Sequence, residues 1–320
     1  MKFHPEEILF CPTAACNLKC AHCVTPKSSA LLSARSAVRF LRDCKKLGIK
    51  RVGFTGGEPF LALDLVCRIA REAVKRGMVF DRIMTNASWF KNKKGLRAAL
   101  RKLFEAGYDG SICVSVDAFH RQDLKKAALF IKEAASLWNR RDMVSLASVT
   151  GAKDVRTKEK LKKLAGMLKA RLAAYGTGHC HIKSGTLFVR VSRIDLSPVG
   201  KARRLKDPWG GKWFKEDFCR GPGNAFFVMP DGSVKPCCGY ATERPELTIG
   251  NIKLDTARGI VRNARANRFV STVFGSGLSA LRKRLEATGV RFPGKTANHC
   301  YFCHHVLSAV PEKILERCLD

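Results

Sequence analysis

The chain has few acidic residues and no long apolar run. Asp and Glu number 27 of 320 residues against 59 Lys and Arg, a formal net charge of +32 at pH 7. No apolar stretch approaches the roughly 18 residues that a membrane-crossing helix requires. The N-terminus also lacks the basic segment, apolar core and small-residue cleavage site of a signal peptide, so a cytoplasmic location with no membrane partner is expected. Aromatic residues are sparse, at 8%. No block of five or more consecutive basic residues occurs, so the charge is diffuse and not gathered into an aromatic-interleaved stripe for nucleic acid. Internal repeats and low-complexity segments are missing too. What the excess of positive charge does favour is an anionic partner such as an acidic peptide, a phosphorylated substrate or nucleic acid. With 46% hydrophobic residues, the chain is long enough for one large domain and a smaller one.

Cysteine is abundant. Fourteen thiols, grouped in triplets and pairs without a signal peptide, favour metal over disulfides and a reducing setting. Cys16, Cys20 and Cys23 stand three and then two residues apart in Cys16-Asn17-Leu18-Lys19-Cys20-Ala21-His22-Cys23. Three thiolates can hold a 4Fe-4S cluster while leaving one iron without a protein ligand, open to a small molecule. A zinc knuckle with His22 as fourth ligand is the alternative. About thirty residues on, Thr55-Gly56-Gly57-Glu58-Pro59 follows the apolar run Val52-Gly53-Phe54. Paired glycines at a strand end let the backbone approach a ligand closely, and a carboxylate there can bind an ammonium group.

Short apolar runs alternate with longer amphipathic ones. Strands are expected at 8–11, 51–55, 80–85, 110–117, 143–149 and 187–193, and helices near 33–47, 64–76, 93–106, 124–139 and 157–173. Such strand-helix units predict an α/β domain with parallel pairing, whose ligands collect at the C-terminal ends of the strands. Asn86 ends the third strand, and Ser115 and Asp117 end the fourth on one face with Cys113. Asp117 has a second reading as the cap of a following helix. His120, just beyond, is a candidate substrate contact.

The second cysteine group opens with Cys219, continues to Cys237 and Cys238, and closes with Cys300 and Cys303. Asp231-Gly232 between apolar runs predicts a β-hairpin that brings Cys219 and Cys237 together, and helical residues near 255–287 return the chain to the last pair. Four Cys complete a closed metal site, with zinc again an alternative to a cluster and Cys318 an extra candidate ligand. Cys237 and Cys238 cannot point the same way along a strand, so if one binds metal the other is directed elsewhere.

The Cys triplet with Gly56-Gly57-Glu58-Pro59 resembles the radical S-adenosylmethionine (SAM) superfamily. This resemblance implies a partial (β/α)6 barrel over residues 1–203, ending at Pro198-Val199-Gly200-Lys201-Ala202. It assigns the first 4Fe-4S cluster to Cys16, Cys20 and Cys23. It puts SAM against Gly56, Gly57, Glu58, Asn86, Ser115 and Asp117, with Glu58 on the methionine amino group. Residues 204–320 resemble the twitch domain, the shorter relative of the SPASM domain, with an auxiliary 4Fe-4S cluster on Cys219, Cys237, Cys300 and Cys303. Pro236-Cys237-Cys238 and Cys300-x2-Cys303 followed by Ala309 to Lys313 are similar to the radical SAM peptide epimerases. In that branch Cys238 would return hydrogen to a peptide Cα and convert an L- to a D-residue. The longer spacing after Cys219 and Asn224-Ala225, where an acidic residue is expected, are departures from it. The implied partners are a peptide, expected to be acidic, and an electron donor such as flavodoxin or ferredoxin. No leader-binding domain is expected before Cys11, so the peptide would be recognised by the barrel and C-terminal region. Alternatives are radical SAM oxidation or cross-linking, tRNA modification and, more distantly, a zinc-containing nucleic-acid-binding protein.

Overall fold

A computed structural model describes residues 3–25, 28–151, 155–175, 179–214, 224–237 and 243–320. Cys219 and Cys238 lie outside the described residues. The six expected strands form as β1 (Glu7–Phe10), β2 (Arg51–Phe54), β3 (Val79–Thr85), β4 (Ser111–Ser115), β5 (Val144–Thr150) and β8 (Phe188–Asp195). Each pairs in parallel with the next in that order. Between them run α1 (Ala34–Lys46), α2 (Leu63–Lys75), α3 (Lys93–Glu105), α4 (Leu124–Leu137) and α5 (Val155–Met167). In α1 the buried side chains are Ala37, Phe40, Leu41 and Cys44, the stripe that a helix lying on a sheet must present, and Ser33 caps its start by accepting from Ser36 N. The sheet is open, as a partial barrel requires, with these six strands in the order β1-β2-β3-β4-β5-β8 and further strands beyond each end.

One expectation fails. The helix expected over 157–173 ends at Met167, and an antiparallel hairpin of β6 (Arg171–Tyr175) and β7 (His179–Lys183) follows on the edge of β8. The helix stops because Lys169 takes a left-handed conformation (φ 52°) while Lys169 N donates to Gly166 O and Ala170 N to Ala165 O. Glycine usually fills that position, so a lysine there conceals the stop.

The Asp231-Gly232 hairpin forms as β9 (Ala225–Val228) and β10 (Ser233–Lys235), with Asp231 Oδ1 accepting from Ser233 N at 2.9 Å. It does not stand apart: β9 pairs in parallel with β1, so the hairpin covers the free edge of the barrel. Beyond the short strand β11 (Gly250–Asn251) come α6 (Ala257–Ala266), α7 (Arg268–Gly275), α8 (Leu278–Ala287), α9 (His299–Ala309) and α10 (Glu312–Cys318). The segment before the hairpin packs on α9: Trp213 and Phe214 lie edge-on to Phe302 at 6.0 and 5.3 Å, and Arg282 stacks over Trp213 at 4.8 Å. No described helix is long and apolar enough to cross a membrane.

Candidate active site

Every group expected near the first cluster lies where the barrel strands end. The loop after β1 carries Cys16, Cys20 and Cys23, and all three line one cavity of about 150 Å³. Thr55, Gly56 and Gly57 from the end of β2, Met84, Thr85 and Asn86 from the end of β3, Ser115 from the end of β4 and His120 from the loop after it also line the cavity. Parallel strands in register bring these four loops together.

The two glycines are needed for a reason that spacing alone does not give. Gly57 N donates to Thr13 O and Glu58 N to Ala15 O, both within 2.9 Å, so the loops after β1 and β2 lie backbone against backbone. A Cβ on Gly57 would stand 2.1 Å from Ala15 O, and one on Gly56 (φ 119°) would stand 2.2 Å from Cys11 Sγ. The glycines thus let the cysteine loop itself come close, which holds the thiols in place.

Glu58 is fully buried and does not line the cavity. Its carboxylate accepts from Thr85 Oγ1 at 2.9 Å, Asn86 N at 2.8 Å and Phe60 N at 3.2 Å, tying the end of β2 to the end of β3. Burial outweighs these three donors and raises its pKa to about 7. Asn86 faces the cysteines: its side-chain amide donates to Asn17 Oδ1 at 2.9 Å and Cys16 Sγ at 3.7 Å, and Leu18 N reaches Cys16 Sγ at 3.4 Å. Donors on sulfur favour the thiolate that a metal requires.

Asp117 is also fully buried. It does not cap α4, where Asp123 accepts from Lys125 N instead. Its Oδ1 accepts from Phe119 N and His120 N, and its Oδ2 from Val149 N at 3.1 Å and His120 Nδ1 at 2.8 Å. Burial would raise its pKa, but the His120 hydrogen bonds prevail and hold it below the usual carboxylate range. His22 turns toward this pair, its ring 4.7 Å from that of His120. Burial, with His120 adding to it, lowers the His22 pKa to about 4. His22 Nδ1, Ser88 Oγ, Trp89 Nε1 and Gln122 Oε1 are buried without a hydrogen-bond partner among the described residues. Three thiols on one cavity, with amide donors on the sulfur of Cys16 and the partnerless His22 on the same wall, fit a cluster and a polar small molecule bound against it.

In the second group the described members are Cys237, Cys300 and Cys303. Cys300 and Cys303 lie in the first turns of α9, where the helix N-terminus favours an anionic cluster. Asn298 caps that helix, accepting from Tyr301 N at 2.8 Å, and its amide donates to Ser197 Oγ at 2.8 Å just beyond β8. Cys237 follows β10, which runs back toward the N-terminal ends of the strands. Cys318 is buried in the core, its Sγ 4.0 Å from Thr288 Oγ1. The burial of Glu58 and the pairing of Asp117 with His120 had no signal in the sequence, because both depend on contacts between loops. Thr85, the strand-end hydroxyl next to Asn86, was readable and was missed.

Residues 10–134 match the family model described as the radical SAM superfamily, and residues 219–285 match the iron-sulfur cluster-binding domain named SPASM. A GTP 3′,8-cyclase of Lactiplantibacillus plantarum is 31% identical over 120 residues, 36% of this chain and 34% of its own length. The nucleotide dehydratase RSAD2 of Danio rerio is 31% identical over 96 residues, 27% of each chain. The chain thus spans between about a quarter and a third of the length of these curated relatives. Among solved structures, anSMEcpe with bound AdoMet and Cp18Cys peptide superposes with a TM-score of 0.55 over 98% of this chain and 99% of that one, at 14% identity. SuiB of Streptococcus suis gives 0.53 over 84% of this chain and 68% of that one, at 16% identity. At such identities the two structures show the fold. The chain therefore carries a radical SAM domain followed by a SPASM iron-sulfur cluster-binding domain, and these domains indicate 4Fe-4S clusters and SAM as cofactors.

Proposed function

We propose that the protein abstracts a hydrogen atom from a ribosomally made peptide, at Cα, and that the outcome is epimerisation of an L- to a D-residue. The observation that carries the abstraction is the convergence of Cys16, Cys20 and Cys23 with Gly56, Gly57, Asn86 and Ser115 on one cavity. In this reading Cys16, Cys20 and Cys23 hold the first cluster, and the polar ends of β3 and β4 receive SAM. When bound, the cluster and SAM together supply the 5′-deoxyadenosyl radical. Glu58 acts through structure, fixing the loop after β2 against Thr85 and Asn86. Its carboxylate meets three protein donors and keeps one acceptor site on Oε2, so contact with the methionine amino group would require that buried oxygen to become accessible from the cavity. Cys237, Cys300 and Cys303, with Cys219, hold the auxiliary cluster, and Cys238 supplies the hydrogen returned to Cα.

The peptide class is supported by the net charge of +32 and by the likeness to anSMEcpe, whose structure contains a peptide. The nucleotide-acting relatives align over about a third of their length, so their substrates are a weaker guide. One observation favours the oxidative alternative, with the auxiliary site accepting an electron. β10 carries the chain away from the cavity end of the sheet before Cys237, and none of the described thiols of the second group lines the cavity.

Deuterated water separates the two readings. With SAM, reductant and a peptide substrate, epimerisation places one solvent deuterium at Cα, and Cys238→Ala still forms 5′-deoxyadenosine while losing that product. Unlabelled product two mass units lighter than the substrate, formed equally by Cys238→Ala, establishes oxidation instead.

A further inference from the structure

We propose that His120, oriented by Asp117, presents an acceptor nitrogen to the substrate, and that the substrate group beside the cavity is an N–H or O–H donor such as a peptide amide. The proposal rests on the radical SAM reading but is indifferent to epimerisation or oxidation.

Each oxygen of Asp117 accepts two hydrogen bonds, and three of the four donors are backbone amides. An ionised carboxylate cannot donate, so His120 Nδ1 at 2.8 Å must carry a proton. In the neutral ring Nε2 is then the acceptor, and this is the edge left to face the cavity that His120 lines. The loop holding the pair is fixed from outside. Lys160 Nζ donates to Asp117 O at 2.9 Å and to His120 O at 2.7 Å, and Thr157 Oγ1 accepts from Ala118 N at 3.1 Å. A second acceptor, Gln122 Oε1, is buried nearby without a partner among the described residues, while Gln122 Nε2 donates to Ser115 O. An acceptor nitrogen on this wall of the cavity suits a group that donates, and would repel a carboxylate. Asp117 has no capacity left for a ligand, so it is a positioning residue acting through His120.

The test uses the full chain with oxidised clusters, bound SAM and 15N-imidazole histidine, with His120 assigned among the eight histidines by its loss in His120→Gln. The expected spectrum has the proton on Nδ1 and a bare Nε2. N-acetylglycine N-methylamide is expected to move the Nε2 resonance, and its tertiary-amide analogue N-acetylsarcosine dimethylamide, which has no N–H, is expected to leave it in place. Asp117→Asn is expected to shift the ring toward the Nε2-protonated form and weaken the secondary amide roughly tenfold, as loss of one neutral hydrogen bond does. If that variant does not fold, the unsubstituted protein decides alone. A proton on Nε2, no response to the secondary amide, an equal response to the tertiary one, or an Nε2 shift produced by SAM alone each overturns the proposal. Failure to form 5′-deoxyadenosine on reduction would overturn the enzymatic reading while leaving the tautomer result standing.

Discussion

The two cysteine groups are built by opposite means. Cys16, Cys20 and Cys23 come from eight consecutive residues, and a second loop brought alongside by adjacent parallel strands holds them. Cys237, Cys300 and Cys303 come from the residues after β10 and from a distant helix, so only tertiary packing could join them in one site. The aromatic contacts of Trp213, Phe214 and Phe302 and the link from Asn298 to Ser197 seat α9, the helix that carries Cys300 and Cys303. A local motif is therefore exposed to backbone clashes, whereas an assembled one is exposed to loss of core volume and of helix caps.

The sharpest break is to remove ligands on one side only. Cys16→Ala is expected to abolish 5′-deoxyadenosine formation altogether and to cost about half of the roughly eight iron per chain that two 4Fe-4S clusters contain. Cys300→Ala is expected to cost a similar share of iron while leaving reductive SAM cleavage in place. Iron and sulfide assays with quantified 5′-deoxyadenosine check both. Zinc in a colourless protein would undo the comparison.

Phe302→Ala tests the assembled side. Phe302 is fully buried between Trp213, Phe214 and Phe292, and truncating such a side chain costs about 3–5 kcal/mol. Denaturant unfolding followed by tryptophan fluorescence should show that loss, with auxiliary iron released first. Simultaneous release of both clusters would mean that the two regions do not differ in how they hold metal.

Glu58→Gln tests the local side through pH. The folded pKa of Glu58 is raised to about 7 from an ordinary value of 4.5, so the fold binds the extra proton. Its contribution is fully present below about pH 4.5 and is lost as pH rises through about 7, a difference on the order of 3 kcal/mol. Glu58→Gln should therefore remove a stability loss seen in the unsubstituted protein between pH 5 and 7.5. Thermal midpoints with parallel pH profiles would show that Glu58 is not the titrating group.

Legibility follows the same division. The triplet, the Gly56-Gly57 pair and the order of parallel strands could be read because each is a local pattern or a period. The Asp-Gly turn predicted the hairpin but could not show that β9 would join β1, since an edge pairing depends on which edge is free. The β6–β7 hairpin was hidden by Lys169 in a glycine's place, and the burial of Glu58 by contacts that exist only after β2 and β3 are side by side.

Asn298 joins the two regions, so its substitution gives the smallest effect and the finest test. Its side chain does two things: Oδ1 caps α9 and Nδ2 reaches Ser197 beyond β8. Asn298→Ala should cost about 1 kcal/mol through the cap alone, with up to about 1 more from the lost bond to Ser197. Asn298→Ser keeps a capping oxygen but cannot donate an amide to Ser197, so it should recover only the first part. Ser197→Ala in both backgrounds closes a double-mutant cycle that isolates the second part. A coupling near zero would mean that α9 is held against the barrel by aromatic packing alone; a measurable one makes the helix carrying Cys300 and Cys303 sensitive to the position of the strand end at β8.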